Sequence, residues 1–168
     1  MNKIILIGFM STGKTSVARA LSTKKNIIHI DTDLVIEKKF NLKIDEIFYE
    51  YGEPFFREQE SLVLKNIQNS NLNMIISTGG GTPTHSSNMQ KLNKIGKTIY
   101  LESSFEFLYK NLEKNKENRP IYKMYDKKEL SKIYNERIKI YSKAHLKINC
   151  RKKSLTNISE EISNLLIF

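Results

Sequence analysis

The sequence predicts an α/β domain, a three-layer sandwich around a central parallel five-stranded sheet. Strand-sized apolar runs recur along the chain and alternate with segments of helical periodicity. The first run leads through a glycine-bearing turn into a helix and then a second strand, a βαβ unit whose natural setting is a parallel sheet covered by helices. The chain has 168 residues, enough for one sizeable core and close to the size of one domain.

Lys3 to Ile7 reads as a buried strand, since Ile4-Ile5-Leu6-Ile7 is apolar throughout. Gly8 to Gly13 forms the turn. Lys14 to about Thr23 is helical, with Val17, Ala18, Ala20 and Leu21 apolar. A short strand, Ile27 to Ile30, ends at Asp31. After Asp33 the pattern is helical in two or three pieces to about Asn69, broken at Tyr51-Gly52-Glu53-Pro54. Asn73 to Ser77 is a buried strand running into Gly79-Gly80-Gly81. His85 to Leu92 is helical, Thr98 to Leu101 a strand and Phe105 to Leu112 a short helix. Glu113 to Tyr125, polar, basic and containing Pro120, reads as a mobile loop. Lys127 to Ala144 is a helix and Leu146 to Asn149 the last strand. Ile158, Ile162, Leu165 and Leu166 mark a closing amphipathic helix.

Composition narrows the class. Hydrophobic residues make up 39% and charged residues 27%, a globular rather than a disordered balance. No apolar run approaches the ~20 residues of a membrane span, and the start has no signal-peptide pattern. One cysteine, Cys150, allows no intrachain disulfide and no cysteine-based zinc site. A cytoplasmic protein is expected, with no membrane partner. Lys+Arg of 28 against Asp+Glu of 18 gives a formal charge of +10. That suits an enzyme with anionic substrates, and it permits nucleic-acid binding. The lysines are scattered, however, and no helix-turn-helix, RNA-binding signature or basic helix is present, so no specific nucleic-acid partner is expected.

Gly8-Phe9-Met10-Ser11-Thr12-Gly13-Lys14-Thr15 fits G-x-x-x-x-G-K-[ST] at every fixed position. Glycines let consecutive N–H groups curl toward phosphate oxygens. The helix beginning near Lys14 adds its partial positive charge. Lys14 brings a full charge to the β- and γ-phosphates, and Thr15 offers a hydroxyl to Mg²⁺. The motif follows a strand and opens a helix, the context it requires, so a nucleoside triphosphate with Mg²⁺ is the expected ligand.

Asp31-Thr32-Asp33 falls at a strand's carboxyl end, where open parallel sheets bind ligands. One carboxylate can hold Mg²⁺ through water and the other can orient or deprotonate an attacking hydroxyl. A helix N-cap is the competing role for one of them. Gly79-Gly80-Gly81 is either an anion-binding wall of close backbone approach or a flexible turn. Arg137 sits in the apolar stripe Leu130, Ile133, Tyr134, Ile138, Tyr141, so its charge needs an anionic partner, internal or bound, or an escape to water. Arg57 lies one turn before Glu60, which allows a structural ion pair or a guanidinium braced for a substrate carboxylate. Arg119-Pro120 lies on the polar loop, either closing over transferring phosphates or as incidental surface charge. His29, His85 and His145 have no metal-ligand spacing.

These motifs, in this order and spacing, resemble the shikimate kinase family of nucleoside-monophosphate-kinase-like P-loop proteins. They are Gly8-Phe9-Met10 through Gly13-Lys14-Thr15, Asp31-Thr32-Asp33, Phe56-Arg57 with Glu60, Ser77-Thr78-Gly79-Gly80-Gly81, Arg119-Pro120, and Arg137 with Tyr141. The resemblance covers essentially the whole chain. It implies one P-loop kinase domain over 1–168, with a substrate-binding helical region at about 32–62 and a mobile lid at about 111–125. It implies transfer of the ATP γ-phosphate to the 3-hydroxyl of shikimate in aromatic amino acid biosynthesis. Lys14, Asp33 and Arg119 would be catalytic. Ser11, Thr12, Gly13, Lys14, Thr15, Ser16 and Arg119 would contact nucleotide. Asp33, Arg57, Gly79, Gly80, Gly81 and Arg137 would contact shikimate. Thr15 would bind Mg²⁺ directly and Asp31 through water. A monomer is expected. Ser11 departs from the family's usual glycine, and Asn149 stands where an aspartate is frequent. Gluconate kinase is the nearest rival activity; a non-catalytic nucleotide-binding protein is the rival from another class.

Overall fold

The computed structural model, which describes residues 3–114 and 125–165, alternates strands and helices along the chain. β1 (Lys3–Ile7) leads to α1 (Lys14–Lys25), β2 (Ile28–Asp31), α2 (Thr32–Phe40) and α3 (Ile44–Asn69). β3 (Met74–Ser77), a 3₁₀ turn (Thr82–Thr84), α4 (Asn88–Ile95), β4 (Lys97–Glu102) and α5 (Phe105–Lys114) follow. α6 (Lys127–Tyr141), β5 (Leu146–Asn149) and α7 (Leu155–Leu165) complete it. The strands are all parallel, in the order β2-β3-β1-β4-β5. This is the three-layer α/β sandwich that the sequence predicts.

Alternation along β1 explains the two cores. Ile5 and Ile7 point to one face, with Ile76 and Tyr100, and pack under α2 to α6 through residues such as Ile36, Phe56, Leu92, Leu108 and Tyr141. Ile4 and Leu6 point to the other face, with Ile75, Ile99 and Ile148, against Val17 and Leu21 of α1 and Ile158 and Ile162 of α7. All five β1 residues are buried. Burying each of its apolar side chains contributes about 1.5–3 kcal/mol relative to exposure. β1 is thereby the fixed post from which the phosphate loop leaves.

Several boundaries differ from the sequence reading, each for a local reason. β2 starts at Ile28 rather than Ile27, and its last residue, Asp31, pairs in register with Ser77 of β3. The helix expected from His85 starts at Asn88. Pro83 lies within the 3₁₀ turn, and His85 is extended at φ −83° and ψ 126°. α6 stops at Tyr141 rather than Ala144, capped at Ser142. The expected break in α3 is Gly52, at φ 78° and ψ 168°, a conformation suited to glycine, with Pro54 just beyond it. Among the described residues, no helix is long and apolar enough to cross a membrane.

Candidate active site

The carboxyl ends of β2, β3 and β1 lie side by side and release three loops into one crevice. β1 releases Gly8–Gly13. Gly13 is left-handed at φ 88° and caps α1, so the first-turn N–H groups of that helix open toward the loop. Ser11 is also left-handed, at φ 62°, and its buried Oγ has no hydrogen-bond partner. Thr12 Oγ1 donates to the Phe9 carbonyl at 2.8 Å. The buried Lys14 Nζ donates to the Gly8 and Phe9 carbonyls at 3.0 and 2.9 Å, which centres its charge on the loop. Ser16 is exposed in the first turn of α1.

Asp31 ends β2 and is a hub of four hydrogen bonds. Its Oδ1 accepts from the backbone N–H groups of Asp33 and Leu34, at 3.1 and 3.3 Å, capping α2. Its Oδ2 accepts from Thr15 Oγ1 at 2.7 Å and from Ser77 Oγ at 2.8 Å. The N-cap role and the link to the phosphate loop therefore belong to the same residue. Asp33, the second residue of α2, is the other kind of carboxylate. Its Oδ1 is buried without a hydrogen-bond partner. Its carboxyl is pushed up to about 7, first by burial and then by the negative charges of Asp31 and Glu60, with Lys14 pulling the other way.

The glycine triplet joins these groups. None of the three takes a left-handed backbone; the missing side chains leave room instead. A Cβ on Gly79 would lie 2.6 Å from Asp33 Oδ1. One on Gly80 would lie 3.3 Å from the Met10 nitrogen and 3.6 Å from a terminal nitrogen of Arg137. One on Gly81 would lie 2.8 Å from both terminal nitrogens of Arg57. The wall thus runs from the acid, past the phosphate loop, to two guanidinium groups.

The arginines are held differently. Arg57 donates to Glu60 Oε2 at 2.7 Å and, from Nε and a terminal nitrogen, to Glu53 Oε1 at 3.0 and 2.7 Å. Glu60 is 1% exposed and also accepts from the Thr82 hydroxyl. It therefore ties α3 to the turn after the glycines. Arg137 lies over the Phe9 ring, 5.7 Å from its centroid. It also hydrogen-bonds Tyr141, whose phenol burial pushes up to about 12. Tyr141 Oη in turn donates to the Gly80 carbonyl at 2.5 Å. The ion pairs among the described residues do not include Arg137.

Lys14, Thr15, Asp31, Asp33, Arg57, Gly79, Gly80, Gly81 and Arg137 thus converge on one crevice. Arg119, expected on a closing loop, lies outside the described residues. Sequence reasoning missed Ser77 and Thr82 as partners of Asp31 and Glu60. Thr82 had no signal, since its partner is 22 residues away. Ser77 had a faint one, being the only hydroxyl in an otherwise apolar strand. His29 and His145 bond Ser77 and Thr98 respectively. Among the described residues, no group of three or more His, Cys, Asp or Glu could hold a metal by itself.

The comparisons agree with this geometry. The family model described as shikimate kinase matches residues 10–166. A shikimate kinase of Clostridium botulinum (strain 657 / Type Ba4) is 42% identical over 146 residues, covering 86% of this chain and 85% of the relative. The shikimate kinase structure from Bacteroides thetaiotaomicron superposes with a TM-score of 0.85 at 31% identity, covering 98% of this chain and 97% of that one. The Acinetobacter baumannii enzyme, solved in complex with shikimate, gives a TM-score of 0.90 at 29% identity, covering 98% and 92%. A gluconokinase from Sinorhizobium meliloti, at 12% identity and a TM-score of 0.55, shares the fold alone. The chain belongs to the shikimate kinase family.

Proposed function

We propose that this chain transfers the γ-phosphate of ATP to the 3-hydroxyl of shikimate, releasing ADP and shikimate 3-phosphate. The observation that carries the reading is the glycine wall. It sets an unpartnered buried carboxylate, Asp33, in line with the phosphate loop and with two arginines suited to a carboxylate. Shikimate offers a carboxylate and three hydroxyls. Arg57, braced by Glu53 and Glu60, and Arg137 grip the carboxylate or ring hydroxyls, with Gly79, Gly80 and Gly81 as the wall behind them.

Asp33 accepts the hydrogen bond of the attacking hydroxyl and takes its proton as the oxygen bonds to the γ-phosphorus. The bond from that phosphorus to the ADP oxygen breaks. Lys14, the Ser11–Ser16 backbone and Arg119 from the lid stabilise charge on the phosphoryl group. Thr15 and Asp31 fit Mg²⁺: one hydroxyl and one carboxylate, hydrogen-bonded to each other, form the sparse oxygen donor set this ion takes alongside phosphates and water. When bound, Mg²⁺ neutralises charge on the β- and γ-phosphates. Residues at about 32–62 form the acceptor side and about 111–125 the lid. The enzyme is a cytoplasmic monomer in this reading; its buried free Cys150 suits a reducing compartment.

The test is ADP release from MgATP with shikimate, gluconate and nucleoside monophosphates offered side by side. Turnover with shikimate alone supports the assignment. Turnover with gluconate in its place overturns the assignment to shikimate, and turnover with a nucleoside monophosphate overturns the carboxylate pocket as well.

A further inference from the structure

We propose that His29 is a positioning residue for the Asp31 carboxylate, acting through Ser77. The inference rests on the reading of Asp31 as the carboxylate on the metal side of the phosphate loop. Register produces the arrangement. His29 and Asp31 are two residues apart on β2 and share a face, and Asp31 pairs with Ser77 on β3. His29 Nε2 lies 3.0 Å from Ser77 Oγ, and Ser77 Oγ lies 2.8 Å from Asp31 Oδ2.

Proton counting fixes the direction of this chain. Ser77 has one proton, and a carboxylate only accepts, so that proton goes to Asp31. Ser77 Oγ is then an acceptor toward His29, which must carry its hydrogen on Nε2. The opposite tautomer would draw the Ser77 proton away from Asp31. Oδ2 would be left with Thr15 alone. Ser77 is 1% exposed, so its hydroxyl has no bulk water to turn to and is oriented by His29 and Asp31 alone. His29 thereby holds the orientation of the carboxylate against the Thr15 hydroxyl, as an outer partner holds a metal ligand.

The test measures Mn²⁺ affinity by the free-ion electron paramagnetic resonance signal, with the full-length protein saturated in ADP. His29→Leu removes the donor. His29→Gln keeps one, because the glutamine Nε2 is as many bonds from Cβ as the histidine Nε2. The expected result is a weakening of about 3- to 10-fold in His29→Leu. Ser77→Ala should show a similar loss, the His29→Leu/Ser77→Ala double variant no more than either, and His29→Gln an affinity near that of the parent. Shikimate affinity should stay unchanged throughout. Asp31→Asn separates the two levels of the argument. If Asp31→Asn weakens Mn²⁺ but His29→Leu does not, or if the two losses add in the double variant, the role of His29 is overturned alone. If Asp31→Asn leaves Mn²⁺ binding intact, the metal-side reading fails and the inference with it. Should His29→Leu not fold, a loss in His29→Gln equal to that in Ser77→Ala would also overturn it.

Discussion

Gly79→Ala is the most specific perturbation that the site offers. The new methyl would lie 2.6 Å from Asp33 Oδ1, 3.2 Å from Oδ2 and 3.0 Å from Thr82 Oγ1, where ordinary contact begins at 3.4 Å. The carboxylate must therefore retreat by about 0.8 Å. It has little room, since Asp33 Oδ1 is buried and Thr82 is tied to Glu60. A misplacement of ~1 Å at a reacting group costs about 100-fold in rate, so kcat should fall by that order. The phosphate loop is untouched, so ATP affinity should hold. Overpacking of about 1–3 kcal/mol should lower Tm by a few degrees. Steady-state kinetics, ATP titration and a thermal melt check all three. Gly81→Ala is the internal control. Its methyl meets the Arg57 guanidinium, so it should raise KM for shikimate about tenfold or more and disturb kcat less. A folded Gly79→Ala enzyme with the parent kcat would refute the placement of Asp33 at the reacting hydroxyl.

Other outcomes follow from the same geometry. Asp33 titrates near 3.8 when free and near 7 in the fold. Between these values the native state holds a proton that the unfolded chain has lost, so stability falls as pH rises through that window. Asp33→Asn should therefore stabilise the ligand-free protein above pH 7, by at most about 4 kcal/mol, and lose that advantage near pH 4 in urea denaturation. By the same titration, kcat/KM for shikimate should rise with pH through about 7. Ser11 is left-handed with its hydroxyl unpartnered, so Ser11→Gly should stabilise by about 1 kcal/mol in thermal melts. Arg137→Ala should weaken shikimate binding about 10-fold or more, with ATP binding retained in calorimetry; unchanged shikimate affinity would count against its role.

The parts legible in the sequence are those fixed by local rules. The run from Ile4 to Ile7, the phosphate-loop motif and the helix after it each carry their own signal, and all three stand where the pattern put them. The glycine triplet was legible as a place of close approach. What approaches is the site's own Asp33 and Arg57, which only tertiary packing shows. The helix read from His85 starts only at Asn88, because helical periodicity does not register the 3₁₀ step at Thr82–Thr84 or the extended His85 behind it. A helix N-cap was the competing role for one of Asp31 and Asp33; Asp31 is that cap, and its second oxygen also accepts from Thr15, a link the sequence did not show. The Ser77–Asp31 and Thr82–Glu60 bonds span 46 and 22 residues. They depend on strand register and on α3 crossing the turn, and neither leaves a mark on local periodicity.

The central claim is that Asp33 serves the chemical step and not nucleotide binding. It is tested most directly by measuring kcat with shikimate for Asp33→Asn beside its dissociation constant for MgATP. Loss of the base is expected to lower kcat by about 100- to 10,000-fold with the MgATP constant unchanged. Near-parental turnover, or a loss of MgATP affinity as large as the loss of rate, would contradict it.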